Sequence, residues 1–248
     1  MATIQKILVS QPQPATERNP YSELQKQGLE LHFRQLIHVE GLTAKEFRQQ
    51  RINPLDYTAV LFNSRLGIDH FFRLCEEMRL TVPDSMHYYC ISETVANYLI
   101  KYIQYRKRKV FFGNNRFEDL LPAMHRRPQE KYMMVMSDVH NDETIRMFAS
   151  HNIAVQPAVM YRTVASEWPK EQPFDFDMIV LFTPAGVHSL RKNFPDFQQG
   201  DKILACFGAN TVQAAEAEGW QVAIKAPQPG LPSITAAIQQ YLKDNSPA

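Results

Sequence analysis

Four hydroxyl residues stand at matching points of a repeated pattern. Asp56-Tyr-Thr-Ala-Val-Leu-Phe-Asn-Ser64 and Asp177-Met-Ile-Val-Leu-Phe-Thr183 are apolar runs closed by a hydroxyl residue, as are Tyr88-Tyr-Cys-Ile-Ser-Glu-Thr94 and Ile203-Leu-Ala-Cys-Phe-Gly-Ala-Asn-Thr211. A run apolar at every position suits a strand buried between two helix layers, and a hydroxyl directly after it suits the start of a helix. Two chemistries are open to such a residue. It can cap its own helix, which is what Ser and Thr ordinarily do there, or it can join the unpaired main-chain N–H groups in holding an anion such as a carboxylate.

Spacing extends the pattern. Ser64 and Thr94 are 30 residues apart and Thr183 and Thr211 are 28 apart, so the chain reads as two copies of one architecture. Thr183-Pro184 places Pro at an early helical position, Asn210 and Thr211 offer caps before a helix over Val212–Glu218, and Gly219 stops it. The predicted alternation starts with strand Lys6–Ser10. It continues with strand Asp56–Phe62, helix Ser64–Arg79, strand Met86–Cys90, a helix Glu93–Tyr102 capped by Ser92, and helix Phe117–Met124. Strand Tyr132–Met136, helix Thr144–Ser150, strand Ile153–Val159 and a return strand Val159–Val164 complete the first set. The fold class is α/β with two doubly wound parallel-sheet domains. One is discontinuous, residues 1–36 and 165–248, and the other, 37–164, is inserted into it.

Composition narrows the function. The 248 residues leave room for two domains, and a hydrophobic share of 44% with 21% charged residues describes an ordinary globular chain. A formal charge of +1 gives no broad basic face for duplex nucleic acid. The basic run Lys101 to Lys109, with Tyr102 and Tyr105 inside it, reads as a solvated helix end. Cys75, Cys90 and Cys206 are far apart and fit buried thiols in a reducing compartment. No stretch approaches the roughly 18 apolar residues of a membrane span, and the N-terminus lacks a signal-peptide pattern, so a cytoplasmic location is expected.

Asp138-Val-His140-Asn141-Asp142 has the look of the first metal-ligand turn of metallophosphoesterases. No G-N-H or G-H-x-H turn follows it, and the two-metal chemistry needs those further ligands, so no metal is expected. Neither a GxGxxG turn nor a G-x-S-x-G elbow occurs, against a nucleotide-dependent dehydrogenase or a serine hydrolase.

In ordered segments over nearly its whole length the chain resembles the uroporphyrinogen-III synthase family. Lys6–Val9 matches the opening strand, and Phe62-Asn-Ser64 and Phe182-Thr-Pro184 match the paired turns. Ile203 to Gly219, with Phe207-Gly208 and Thr211, is the best match. Met160-Tyr161-Arg162-Thr163 matches the return strand bearing the family's Tyr, and Ala226-Pro-Gln-Pro the turn before the last helix. Gln11, Ile91 and the turn at Asp138 depart from the family pattern.

The resemblance implies a two-stranded connection joining the domains, an interdomain cleft that holds the reaction, and hydroxymethylbilane as substrate. That molecule is a flexible chain of four pyrroles bearing eight carboxylates, cyclised with loss of water and inversion of the last ring to uroporphyrinogen III. It further implies a cofactor-free hydro-lyase acting as a monomer, with no nucleic-acid or membrane partner. Ser64, Thr94, Thr183, Gly208 and Thr211 are then the expected substrate-binding residues. Tyr161 is the expected acid, because a phenol stays protonated near neutral pH. A non-catalytic tetrapyrrole- or anion-binding protein on the same fold is the rival reading.

Overall fold

The computed structural model describes residues 4–15, 19–140 and 142–245. In chain order the first elements are β1 (Lys6–Val9), α1 (Ser22–Lys26), β2 (Glu30–Phe33), β3 (Ile37–Gly41), α2 (Ala44–Arg48), β4 (Ala59–Phe62), α3 (Arg65–Glu77), β5 (His87–Cys90) and α4 (Glu93–Tyr98). Then come β6 (Val110–Phe112), α5 (Leu121–His125), β7 (Tyr132–Ser137), α6 (Glu143–Ser150) and β8 (Val155–Ala165). The chain closes with β9 (Met178–Leu181), α7 (Pro184–Asn193), β10 (Ile203–Phe207), α8 (Ala209–Ala217), β11 (Val222–Ala226) and α9 (Ile234–Asp244). Two compact units result, Met1–His38 with Val164–Ala248, and Val39–Thr163.

The first unit carries a parallel sheet of order β11-β10-β9-β1-β2. The second carries β3-β8-β7-β4-β5-β6, in which β8 through β6 are parallel. Laid side by side, β9, β10 and β11 occupy the places of β4, β5 and β6, while β1 and β2 occupy those of β7 and β8. The duplication read from the sequence is thus present with a permuted chain order, because the second copy is spliced in after β2. Each sheet reverses its winding beside the strand that opens its matched set, at β1/β9 and at β4/β7. In open α/β sheets such a reversal leaves a crevice at the strands' carboxyl ends.

Burial on both faces explains the unbroken apolar runs. Val60 and Phe62 of β4 face Phe71 and Leu74 of α3, while Ala59 and Leu61 face Phe117 and Phe148 on the other side. In β9, Met178 and Val180 meet Ile7 and Ile238, and Ile179 and Leu181 meet Val187 and Trp220. All eight strand residues are fully buried, and each large side chain contributes about 1.5–3 kcal/mol.

Several expected bounds shift. The predicted strand Ile153–Val159 and return strand Val159–Val164 are one eleven-residue strand, β8. Its outer half pairs with β3: Leu42 N–H donates to the Met160 carbonyl at 3.0 Å and Ser166 N–H to that of Leu36 at 2.8 Å, an antiparallel order. Both chain crossings fall on this pair. The helix expected over Glu93–Tyr102 is α-helical only to Tyr98 and ends in a 3-10 turn, Leu99–Lys101, and Phe117–Leu120 is 3-10 before α5. The helix expected from Val212 starts three residues earlier, at Ala209. No helix among the described residues is long and apolar enough to cross a membrane.

The two aspartates that open the matched runs are not equivalent. The Asp177 carboxylate accepts from the N–H groups of Gln5 and Lys6, both at 2.8 Å, and so ties β1 to β9. Asp56 ends a 3-10 turn and accepts from the Asn53 side chain at 3.1 Å. Asp177→Ala should cost about 1–3 kcal/mol in urea unfolding, because it strands two main-chain donors. Asp56→Ala should stay within about 0.5 kcal/mol, and equal losses would contradict this difference.

Candidate functional site

Ser64 and Thr183 occupy the same position in the two copies. Ser64 is the N-cap of α3, its hydroxyl accepting from Gly67 N–H at 3.1 Å; Thr183 is the N-cap of α7, its hydroxyl accepting from Gly186 N–H at 3.1 Å. Each follows a strand at the point where its sheet reverses, so each stands at the mouth of that crevice. In both helices the third residue is a glycine, and a Cβ there would make only ordinary contact with the cap hydroxyl, 3.4 Å at Gly186 and 3.6 Å at Gly67.

Thr211 does not take the cap position expected of it, whereas α4 is capped as expected. The cap of α4 is Ser92, whose hydroxyl accepts from Val95 N–H at 3.4 Å, and Thr94 is the exposed second residue of the helix. The cap of α8 is Gly208, and Asn210 and Thr211 lie within the helix. Thr211 is buried, 2% exposed. Thr211 and Thr94 are one residue out of phase: the first is third in its helix, the second is second. The signal that separates them is the first hydroxyl or glycine after the strand, Ser92 and Gly208, because a helix begins at the residue after its cap.

Gly208 is the most open of these turns. It has φ +88° and ψ 139°, a conformation essentially reserved for glycine, and its N–H is bound by the Ala226 carbonyl at 2.6 Å. No side chain caps the helix, and the N–H groups of Ala209 and Asn210, both exposed, have no hydrogen-bond partner among the described residues. Two adjacent free N–H groups at the positive end of a nine-residue helix can hold a carboxylate.

Tyr161 lies in β8 in register with Ser137, and its carbonyl accepts from Asp138 N–H at 3.0 Å. That places it level with the carboxyl ends of β4 and β7. The side chain is 6% exposed, and its ring stacks on His70 with centroids 5.0 Å apart and planes 18° from parallel. Burial holds the Tyr161 phenol above its usual pKa, the neighbouring Ser64 hydroxyl opposing this. It therefore carries its proton throughout the neutral range and has the protonation state of an acid.

Asp138 braces its own turn. Its carboxylate accepts from Val139 N–H at 2.9 Å, Thr163 N–H at 3.0 Å and the Ser137 hydroxyl at 3.0 Å, pinning β7 to β8. His140 Nδ1 lies 2.6 Å from the Ser137 carbonyl. Asn141 is outside the described residues, and among those described no three His, Cys, Asp or Glu side chains form a metal-ligand group. A cavity of about 320 Å³ opens here, lined by Asn63, Ile91, Ser137, Val139 and His140. A larger one of about 610 Å³ lies by Met86, Tyr88, Arg106 and Lys109, at the amino ends of β5 and β6, and is lined by none of the expected substrate-binding residues and not by Tyr161.

The remaining signals resolve locally. Lys101 is tied down by the Asp69 carboxylate at 3.0 Å and lies over the rings of Tyr98 and Tyr102, so one cation of the basic run is engaged within the unit. Cys75, Cys90 and Cys206 are buried free thiols, pushed up to about 12 by burial and so unreactive near neutral pH.

A family model described as uroporphyrinogen-III synthase HemD matches residues 20–236. No curated protein gives a significant match. Among solved structures the chain is similar to uroporphyrinogen-III synthetase of Helicobacter pylori 26695, at 13% identity over 98% of this chain and 100% of that one, with a TM-score of 0.57. It is also similar to a mutant uroporphyrinogen III synthase of the extremely thermophilic bacterium Thermus thermophilus, at 13% identity over 96% and 98%, with a TM-score of 0.47. At this identity the Helicobacter likeness speaks for the fold, while the family match takes in most of the chain and every turn described above. The chain belongs to the uroporphyrinogen-III synthase family.

Proposed function

We propose that this protein is a hydro-lyase that cyclises hydroxymethylbilane to uroporphyrinogen III, inverting the last pyrrole ring and releasing water. It acts as a cytoplasmic monomer in tetrapyrrole synthesis, without nucleic-acid or membrane partners. The observation that carries the reading is the family match from residue 20 to 236, which takes in every strand but β1 and the turns at Ser64, Ser92, Thr183 and Gly208. The reaction transfers no electrons: the carbon that loses hydroxide gains a bond to a pyrrole carbon, and the product differs from the substrate by one water. No redox cofactor is required by that balance.

The geometry supports a division of labour. Main-chain N–H groups of Ala209 and Asn210, aimed by the Gly208 turn, together with the Ser64 and Thr183 turns, hold substrate carboxylates. This fits a polyanionic substrate to a chain of net charge +1. Thr94, exposed in the first turn of α4, adds a hydroxyl donor. Thr211 acts from inside, packed under Gly208, where the distance from its hydroxyl to a Cβ on Gly208 would be 3.9 Å. Tyr161 gives its proton to the departing hydroxyl. The pyrrole system stabilises the cation that remains, and the fold of the bound chain directs the substituted carbon of the last ring to attack, through a spiro intermediate. Placement of that carbon is where most of the rate comes from.

Freshly made hydroxymethylbilane given to the purified protein should yield the type III ring isomer on chromatographic separation. Only the type I isomer, as in a protein-free control, would reject the enzyme in favour of a non-catalytic binder. Tyr161→Phe should lower kcat by about 10²–10⁴-fold, the range for a lost general acid, with no more than about 1.5 kcal/mol of stability lost. With Tyr161 held above its usual pKa, wild-type kcat should show no alkaline fall from this group below about pH 10. Gly208→Ala, at a backbone only glycine adopts freely, should raise KM about tenfold or more by re-aiming the following N–H groups. An unchanged KM would remove that turn from the carboxylate site.

A further inference from the structure

Tyr161 has two neighbours of different kinds. The Ser64 hydroxyl is close enough to act on the phenol oxygen electrostatically, and the face of the Tyr161 ring lies on the imidazole of His70, six residues after Ser64 in α3. A stacked pair at 5.0 Å and 18° restricts rotation of both rings.

The imidazole is a costly choice for that contact. His70 Nδ1 is buried and has no hydrogen-bond partner among the described residues, although buried polar atoms nearly always find one. Burial and the neighbouring Arg73 charge hold His70 below its usual pKa, Asp69 opposing them, so the ring is neutral near pH 7. A neutral ring with a bare Nδ1 keeps its proton on Nε2, the more favourable arrangement, since a buried acceptor without a donor is better tolerated than a stranded N–H.

Gly41 of β3 closes the arrangement from the far side. A Cβ there would stand 2.7 Å from His70 Nδ1 and 2.7 Å from a terminal nitrogen of Arg73, so only glycine leaves the imidazole in place. Arg73 is itself fixed, donating to the Leu42 carbonyl at 2.6 Å and to Glu77 at 2.7 Å. The chain Gly41, His70, Tyr161, Ser64 runs through consecutive contacts, all within the unit Val39–Thr163.

We propose that His70, seated against Gly41, is a positioning residue that sets the ring orientation of Tyr161 and thereby aims its hydroxyl at Ser64 and the leaving group. This rests on the assignment of Tyr161 as the acid, and on no proton transfer by His70 itself. The requirement is for a flat ring at that place, not for a titrating group.

Two measurements test it separately. In protein labelled with 13C-tyrosine, the Tyr161 signal, identified by its loss in Tyr161→Phe, should shift and broaden in His70→Ala and in Gly41→Ala and return to its wild-type character in His70→Phe. A Tyr161 signal unchanged by His70→Ala overturns the proposal whatever the activity. In turnover, His70→Ala and Gly41→Ala should lower kcat by about tenfold or more with KM within about twofold, as expected when a reacting group is misplaced, and His70→Phe should recover most of it. In the Tyr161→Phe background the same His70→Ala change should cost less than about twofold, since nothing is left to aim. An equal loss in both backgrounds would show a merely structural role and overturn the proposal. Wild-type turnover in Tyr161→Phe, with the labelled signal still responding, would instead remove Tyr161 as the acid and leave the ring contact standing.

Discussion

A helix that starts directly after a parallel strand leaves its first N–H groups without partners, and this constraint organises both copies of the architecture. The sheet is buried on both faces, so those groups can be answered only by a local side chain or by something bound at the carboxyl end of the strands. Ser64, Ser92, Thr183 and Ser233 answer them with a hydroxyl, each accepting from an N–H three residues on. Gly208 answers with nothing. The contrast separates those four turns, each complete in itself, from the Gly208 turn, whose next two N–H groups are left open.

Permutation of the second copy has a chemical consequence. Because β7 and β8 stand where β1 and β2 stand in the other sheet, the strand beside the reversal in each unit comes from a different part of the chain. In the unit Val39–Thr163 that neighbour ends in Ser137 and Asp138, and the next strand, β8, carries Tyr161 level with them. The corresponding strand of the other sheet is β2, whose last residue is Phe33. One copy thus brings a phenol to its cap residue while the other does not, and the two crevices are chemically distinct although their caps share one geometry.

Stability and site are joined through few residues. Asp138 commits its carboxylate to two main-chain N–H groups and a hydroxyl at the ends of β7 and β8, so the turn that resembles a metal ligand set is a clamp on the strand bearing Tyr161. On the other side α3 offers Ser64 at its cap, His70 toward Tyr161, and Phe71 and Leu74 toward β4. Anything that moves α3 moves the cap, the ring contact and the core together.

The sequence by itself determined the α/β class, the duplication, and the caps Ser64 and Thr183, because runs such as Met178–Leu181 are apolar at every position only when both faces are covered, and that periodicity is local. It also carried Tyr161 and Gly208, through resemblance to the family. Tertiary structure alone decided that Thr211 is buried, that Gly208 takes the cap position expected of Asn210 or Thr211, and that β8 is one continuous strand. A cap is defined by where the helix axis begins, which depends on packing against the sheet and not on residue type. His70 was illegible for the same kind of reason: an isolated histidine on an amphipathic helix has no spacing signal, and its partners Gly41 and Tyr161 lie 29 residues before it and 91 after it in the chain. Only the closing of β3 and β8 over α3 brings the three within contact.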